Sequence, residues 1–345
     1  MPLSPNNDGE PRVLFTHLFS APLTNVDKPV EELSNQGERD TLIKTLSEAE
    51  KRVTFISEAA NTQSFRRAVG SVAGGSGRDC RILHYTGHGE EGKLTFESRS
   101  GQLEYANEKD LLQMLKCHRE YLFRNLGESV ESPIPPHHSG LRLVFLSACH
   151  SESVANCFIA AGVGHVVSVK KGEKVIDQKK AHEFAKSFYV ALLRGDTVNQ
   201  AFLIGGNSLV CSGCQEGEKF VLLPEGGSHD EQLFEKIKEG PFVDCAPLQS
   251  TTSIGLDDVT EHFLGRAVEV QQTFQHMVDG ASCITIMGEA GIGKTQVCLK
   301  ACAYAWERHI FSDIIFCRVD SSYGRGERGD ARLWLEVGRN QEHEI

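Results

Sequence analysis

The sequence predicts an α/β protein, in which a doubly wound, mostly parallel sheet is followed by a second, incomplete α/β unit. Two observations favour this fold class. Short runs of β-branched and aromatic residues alternate with helical patterns along most of the chain, as repeated strand–helix units do. One run, Leu141–Ala148, is apolar on both faces, which is typical of a central parallel strand.

The first unit accounts for most of these alternating elements. Its main strands are expected at Arg12–Phe19, Arg52–Ser57, Cys80–Tyr85, Leu141–Ala148, His165–Val169 and Lys219–Leu223. Its helices are expected within Pro29–Glu50 and at Ser64–Val72, Glu108–Cys117, Glu152–Ala161, Gln178–Arg194 and Val198–Leu209. Two short runs, Lys93–Glu97 and Gln102–Tyr105, have the pattern of hairpin strands.

Charge and cysteine usage narrow the classes of protein and partner. Acidic residues number 47 and basic residues 36, a net charge of −11, and the chain has no long Lys/Arg run. This balance argues against nucleic acid as a partner and suits peptide or small basic substrates. The amino terminus lacks a signal pattern, no apolar run reaches 18 residues, and most of the eleven cysteines lie in apolar runs. We therefore expect reduced thiols, no membrane partner and a cytoplasmic location.

A histidine and a cysteine occupy equivalent places after two predicted strands. His88 follows Cys80–Tyr85, and Cys149 follows Leu141–Ala148. Ligands of open α/β sheets bind beyond the carboxyl ends of the strands, so neighbouring strands would bring both side chains into one crevice. There an imidazole converts a thiol into a nucleophilic thiolate and then protonates the leaving amine. Taken alone, such a pair also fits a packed cysteine and a solvated histidine.

Gly89 follows His88 directly and carries no Cβ that would hinder a substrate carbonyl. Its backbone N–H, together with the N–H of Cys149, is the candidate oxyanion hole. With His88 and Cys149, these two donors would form a site for nucleophilic attack on a carbonyl group.

The segments around these residues resemble the CHAT domain, a relative of caspases and separase among the cysteine peptidases. The resemblance rests on Leu83–Gly89 (LHYTGHG) and Val144–Ser151 (VFLSACHS) and extends over residues 12–234. It implies a caspase-like sheet, His88 as base, Cys149 as nucleophile and a protein or peptide substrate. His84, the rival histidine, lies within a strand and lacks a following glycine. The alternative is a non-catalytic relative that serves as a signalling scaffold.

Asp177 precedes the helix predicted at Gln178–Arg194 and has two interpretations. Its carboxylate suits an N-cap of that helix. The resemblance to separase-like relatives also implies that an acid in this part of the chain selects a basic substrate side chain.

The second unit contains the most specific motif of the chain, G-x-x-x-x-G-K-[ST]. It consists of Gly288, Glu289, Ala290, Gly291, Ile292, Gly293, Lys294 and Thr295. The motif follows a predicted strand, Cys283–Met287, and begins a predicted helix, as a phosphate-binding loop requires. Such a loop holds nucleotide phosphates with backbone N–H groups, Lys294 reaches the β- and γ-phosphates, and Thr295 contributes to Mg²⁺ binding. ATP with Mg²⁺ is therefore the expected ligand here, whereas the peptidase site needs no cofactor.

The residues before this loop, Phe263–Arg266 and Glu269, resemble the start of signal-transducing ATPases of the NB-ARC and NACHT type. The resemblance implies a switch that self-associates in the full-length protein. We expect residues 235–259 to be a linker and residues 260–345 to be the first part of this domain, truncated before its Walker B strand. ATP hydrolysis is not expected from such a fragment.

Overall fold

The computed structural model describes residues 11–31, 33, 35–70, 80–116, 141–171, 178–211, 216–246, 251–252, 263, 265–319 and 332–339. The chain divides into two compact units. Unit 1 takes its residues from Met1–Ala21, Leu33–Glu97 and Glu104–Cys245, and unit 2 takes them from Pro22–Glu32, Ser98–Leu103 and Ala246–Ile345. Two short segments from the first third of the sequence therefore belong to unit 2.

The strands and helices are numbered along the chain. The strands are β1 (Val13–Ser20), β2 (Thr24–Asn25), β3 (Lys28–Pro29), β4 (Val53–Ala59), β5 (Cys80–Gly87), β6 (Gly89–Glu90), β7 (Lys93–Glu97), β8 (Leu103–Asn107), β9 (Leu141–Ser147), β10 (His165–Val169), β11 (Phe220–Leu223), β12 (Phe242–Asp244), β13 (Thr251–Thr252), β14 (Phe311–Val319) and β15 (Arg332–Arg339). The helices are α1 (Asn35–Ser47), α2 (Thr62–Gly70), α3 (108–116), α4 (Glu152–Ala160), α5 (Gln178–Arg194), α6 (Val198–Cys211), α7 (Ala267–Val278) and α8 (Lys294–Glu307).

Unit 1 is built on a seven-stranded sheet in the order β11-β10-β9-β5-β1-β4-β12. Its neighbouring strands pair in parallel except for β10 and β11, which are antiparallel. This confirms a mixed α/β fold with a mostly parallel central sheet. Leu143, Val144, Phe145 and Leu146 of β9 are all fully buried, as expected for a strand covered on both faces.

The two faces of the sheet carry separate apolar clusters, because successive side chains of a strand point to opposite faces. On one face, Phe15 and Phe145 pack with apolar residues of α1, α5 and α6. On the other face, Leu18 and Leu146 pack with residues of α2, α3 and α4. Because helices cover both faces of the sheet, a binding site is expected at the ends of the strands.

Residues 242–244 differ from the expected linker, because they form β12 and extend the sheet beside β4. Phe242 packs on Phe55, with 6.1 Å between the ring centroids. Asp244 accepts a hydrogen bond of 2.6 Å from the guanidinium of Arg39 in α1. An aromatic contact and a half-buried ion pair therefore hold a segment whose composition resembles a loop.

Unit 2 contains α7 and α8, which pack through Phe274 and Tyr304 with 4.8 Å between the ring centroids. In its sheet, β13 lies parallel and β15 antiparallel to β14. Residues 283–287 were expected to form a strand, but they pair with no strand among the described residues. A run with strand composition forms no ladder until a neighbour supplies the hydrogen bonds.

Among the described residues, the helices are all too short or too polar to cross a bilayer. This agrees with the absence of a membrane-length apolar run in the sequence.

Candidate functional site

His88 and Cys149 follow two strands that are neighbours in the sheet. The strands β5 and β9 pair in parallel, and their last register pair is Thr86 with Ser147. His88 and Cys149 each lie two residues beyond that pair. Because parallel strands end at the same edge, both residues emerge at the carboxyl edge of the sheet. Both are half-buried, so each is partly accessible to solvent.

Gly89 brings the loop after β5 into contact with the backbone of Cys149. A Cβ added to Gly89 would lie 2.8 Å from the nitrogen and 2.9 Å from the carbonyl carbon of Cys149, and closer still to its carbonyl oxygen. Separations this short do not occur for real Cβ atoms, so only glycine fits. The two loops predicted to form the site are therefore in direct contact.

The loop that carries His88 is held by the strand β7. Thr95 in β7 donates a hydrogen bond of 2.8 Å from its hydroxyl to the carbonyl oxygen of His88. The hydroxyl of Tyr85, fully buried, donates in turn to the carbonyl oxygen of Thr95 at 2.6 Å. These bonds fix the backbone position from which the imidazole extends.

Cys149 lies in a tight turn between β9 and α4. The next residue, His150, has a left-handed backbone with φ of 54°, and α4 begins at Glu152. Between them, the buried hydroxyl of Ser151 accepts a hydrogen bond of 3.0 Å from the N–H of Val169 in β10. The turn is therefore anchored to the neighbouring strand β10 as well as to α4.

Polar contacts join the loops that surround this edge. Glu91 forms an ion pair with Lys171 at 2.5 Å, and this hydrogen-bonded cation lowers the pKa of Glu91. The backbone N–H of Lys171 donates to the Glu152 carboxylate at 2.7 Å. The N–H of Gly92 donates to the hydroxyl of Ser153 at 3.1 Å. The loops after β5, β9 and β10 are thus tied together around Cys149.

Asp177, the candidate specificity residue, lies outside the described residues. Its proposed contact with substrate therefore stays a prediction.

The glycine-rich loop of unit 2 curls directly into α8. Gly291 and Gly293 have φ of 80° and 95°, a region that favours glycine. The ammonium group of Lys294 donates hydrogen bonds of 2.9 Å to the carbonyl oxygens of both Gly288 and Glu289. Lys294 therefore folds back over the loop to which the sequence assigned nucleotide binding.

His84 lies in the middle of β5, fully buried, and belongs to a polar cluster beneath the sheet edge. Its Nε2 donates to Glu38 of α1 at 3.0 Å, and its Nδ1 bonds to the hydroxyl of Tyr189 of α5 at 2.9 Å. His17 and His182 complete the cluster. Burial lowers the pKa of His17 to about 3, so its ring is neutral.

His17, Glu38 and His182 were not predicted as site residues from the sequence. One signal was available, because His17 and His84 each interrupt an apolar strand, and a buried imidazole needs a polar partner. The identity of that partner depends on the packing of α1 and α5, which strand patterns do not specify.

Comparisons with known proteins agree with the first unit of the chain. A family model described as the CHAT domain matches residues 8–203, more than half of the chain. Among solved structures, the crystal structure of caspase-1 from Spodoptera frugiperda is similar with a TM-score of 0.38 and 13% identity, over 70% of this chain and 97% of that one. No curated protein matches the chain. Because the TM-score and the identity to the caspase structure are both low, the family assignment rests on the CHAT domain match.

Proposed function

Because the chain belongs to the CHAT domain family, we propose that unit 1 is a caspase-like cysteine endopeptidase with Cys149 as nucleophile and His88 as base. One observation carries this proposal. The loops after the neighbouring strands β5 and β9 touch, with Gly89 against the backbone of Cys149. A peptidase dyad needs its two groups at one accessible edge, and both are half-buried there.

Catalysis proceeds in two steps. His88 takes the proton of the Cys149 thiol, and the thiolate attacks the substrate carbonyl carbon. The C–N bond breaks, His88 gives its proton to the leaving amine, and a thioester remains. A water molecule then donates a proton to His88, attacks the thioester and releases Cys149 as the thiol when His88 returns the proton.

Gly89 and Cys149 supply backbone N–H groups for the oxyanion that forms during attack. Loss of one such donor typically costs about 10²–10³ in kcat. The close approach of Gly89 to Cys149 supports this role, because the two amides belong to loops in contact.

The reactivity of Cys149 tests the dyad without a known substrate. We expect iodoacetamide to label Cys149 below pH 8 faster than the exposed Cys211, because a neighbouring imidazole stabilises the thiolate. Cys157 is an internal control, since burial raises its pKa to about 11. Mass spectrometry of the labelled peptides follows each thiol in one sample.

In the same assay, His88→Asn is expected to reduce the labelling rate of Cys149 to that of Cys211 and to leave the labelling rate of Cys211 unchanged. Equal rates for Cys149 and Cys211 in the unmodified protein would contradict an activated thiol. That result would favour the alternative of a signalling scaffold that binds partners without cleaving them.

Asp177 is proposed to select Arg or Lys before the cleaved bond, as the resemblance to separase-like relatives implies. A panel of fluorogenic peptides that differ at this position is the direct test. We expect cleavage after Arg or Lys, and Asp177→Asn is expected to reduce it. A preference for Asp at this position would overturn the assignment.

The glycine-rich loop is proposed to bind ATP with Mg²⁺, in the manner of a NB-ARC or NACHT switch. The left-handed glycines and the position of Lys294 over the loop fit a phosphate, which Lys294 would reach by exchanging its two carbonyl contacts. Thr295 would contribute to Mg²⁺ binding. Anisotropy of a fluorescent ATP analogue measures this, with Lys294→Ala expected to abolish binding and Lys300→Ala, farther along α8, to retain it. Equal binding by both variants would contradict the proposal.

Two further expectations accompany this function. Eight of the described cysteines, Cys149 among them, are free thiols, which supports the proposal of a cytoplasmic location. Self-association through the ATPase unit is proposed as the means by which nucleotide state brings peptidase units together.

A further inference from the structure

Three polar residues lie side by side on neighbouring strands beneath α1 and α5. In the sheet register, His17 of β1 is opposite Ser57 of β4 and also opposite His84 of β5. Residues in register on parallel strands point to the same face. Glu38 of α1 and His182 of α5 reach the same place. Five residues from five elements therefore converge inside the apolar layer on this face.

Hydrogen bonds hold both strand imidazoles by the same nitrogen. Nδ1 of His17 bonds to the hydroxyl of Ser57 at 3.1 Å, and Nδ1 of His84 bonds to the hydroxyl of Tyr189 at 2.9 Å. Nε2 of His17 is left without a partner among the described residues, and Nε2 of His84 faces the Glu38 carboxylate at 3.0 Å. Imidazoles that bind metals are oriented in this way, with one nitrogen on the metal and the other hydrogen-bonded.

One polar atom of the cluster is buried without any partner among the described residues, and it is Nε2 of His17. Oε2 of Glu38 and Nε2 of His182 make no well-aligned hydrogen bond, but they face each other at 3.3 Å. His17 and Glu38 are 0% and 1% exposed, so water does not reach them from the surface. A buried nitrogen without a partner is rare in proteins, and a bound ion is one ligand that would satisfy it.

The donor atoms lie close enough to share one ion. Single ligand atoms of His17, Glu38 and His84 lie within 4.8 Å of one another, and Nε2 of His182 lies 3.3 Å from Oε2 of Glu38. Imidazole nitrogen and carboxylate oxygen are ligands that Zn²⁺ accepts in tetrahedral sites.

We propose that His17 and His84, through Nε2, and Glu38, through its carboxylate, form a buried site for a divalent transition metal, with Zn²⁺ as the best-fitting ion, while His182 holds the other carboxylate oxygen of Glu38. When the ion binds, the proton on Nε2 of His84 moves to Nδ1, and the hydroxyl of Tyr189 changes from donor to acceptor. All three ligands are buried, so the ion would be closed off from solvent and its role would be structural. The ion would join α1 to β1 and to β5, the strand that ends just before His88.

Metal content of the full chain, expressed without a histidine tag and purified without chelators, tests the site. We expect about one Zn²⁺ per chain, and an X-ray absorption spectrum with imidazole scattering. Glu38→Gln and His17→Gln are expected to lose the metal. His229→Gln, at a buried histidine outside the cluster, is the matched control and is expected to retain it.

Ser57→Ala keeps all three ligands and removes only the hydrogen bond to His17. It therefore tests the site even if the ligand variants fail to fold. We expect it to weaken metal affinity by about 10–100-fold, as loss of such a partner typically does. The proposal is overturned if the unmodified chain stays metal-free after incubation with Zn²⁺, Co²⁺ or Mn²⁺ and desalting. It is also overturned if Glu38→Gln and His17→Gln retain as much metal as His229→Gln.

Discussion

Substitution of Gly89 by alanine tests the contact on which the candidate site depends. The added Cβ would lie 2.8 Å from the Cys149 nitrogen, whereas ordinary contacts begin at 3.4 Å. The loops must therefore separate by at least about 0.6 Å, because neither side of the contact is a flexible side chain. Overpacking of this kind typically costs about 1–3 kcal/mol of stability. A displacement near 1 Å between reacting groups reduces turnover by about 100-fold.

The assay compares the alkylation rate of Cys149 at pH 7 and the melting temperature of Gly89→Ala with those of the unmodified chain. Gly164→Ala is the matched control, because Gly164 is exposed and a Cβ there would meet nothing within 4 Å. We expect Gly89→Ala to slow labelling strongly and Gly164→Ala to leave both measurements unchanged. Unchanged labelling and melting in Gly89→Ala would refute the close approach of the two loops.

Three further predictions concern the frame around the site. Burial, with smaller effects of His229 and Arg142, lowers the pKa of His165 from 6.5 to about 4, so the unfolded chain binds this proton first as the pH falls. The free energy of unfolding should therefore decrease as the pH falls from 6.5 to 4, by up to about 3 kcal/mol. In His165→Gln, denaturant titrations at several pH values should show a smaller decrease over the same range. Ser151→Ala leaves the N–H of Val169 without its acceptor and should cost about 1–3 kcal/mol of unfolding free energy; no loss would contradict the anchored turn. Phe242→Ala should lower the free energy of unfolding by less than about 3 kcal/mol, because the ring is only half-buried, and it should increase amide exchange of β12. Unchanged exchange would show that the ring does not hold this strand.

The sequence predicted the part of the site that depends on strand ends. Apolar runs located β5 and β9, and parallel pairing of these strands made His88 and Cys149 neighbours at one edge. Local patterns are sufficient here, because a run of β-branched residues shows both where a strand lies and where it ends.

The polar cluster was not predictable in the same way. Glu38 and His84 are separated by 46 positions, and His84 and Tyr189 by 105. Their contact depends on how α1 and α5 pack on the sheet, and no periodicity encodes that. The missing strand at 283–287 has the opposite cause, since its composition is right but no described neighbour supplies a ladder.

The assignment of Pro22–Glu32 and Ser98–Leu103 to unit 2 affects how the protein can be dissected. Gln271 of α7 donates a 3.0 Å hydrogen bond to the carbonyl oxygen of Ser100, and Leu23 packs with the apolar cluster around Phe274. A chain cut after Cys245 would therefore retain these two segments without the residues of unit 2 that they contact. Units 1 and 2 are interleaved in sequence, so residues 1–245 expressed alone would lack the contacts that hold these two segments, and a loss of stability would not report on unit 1 alone.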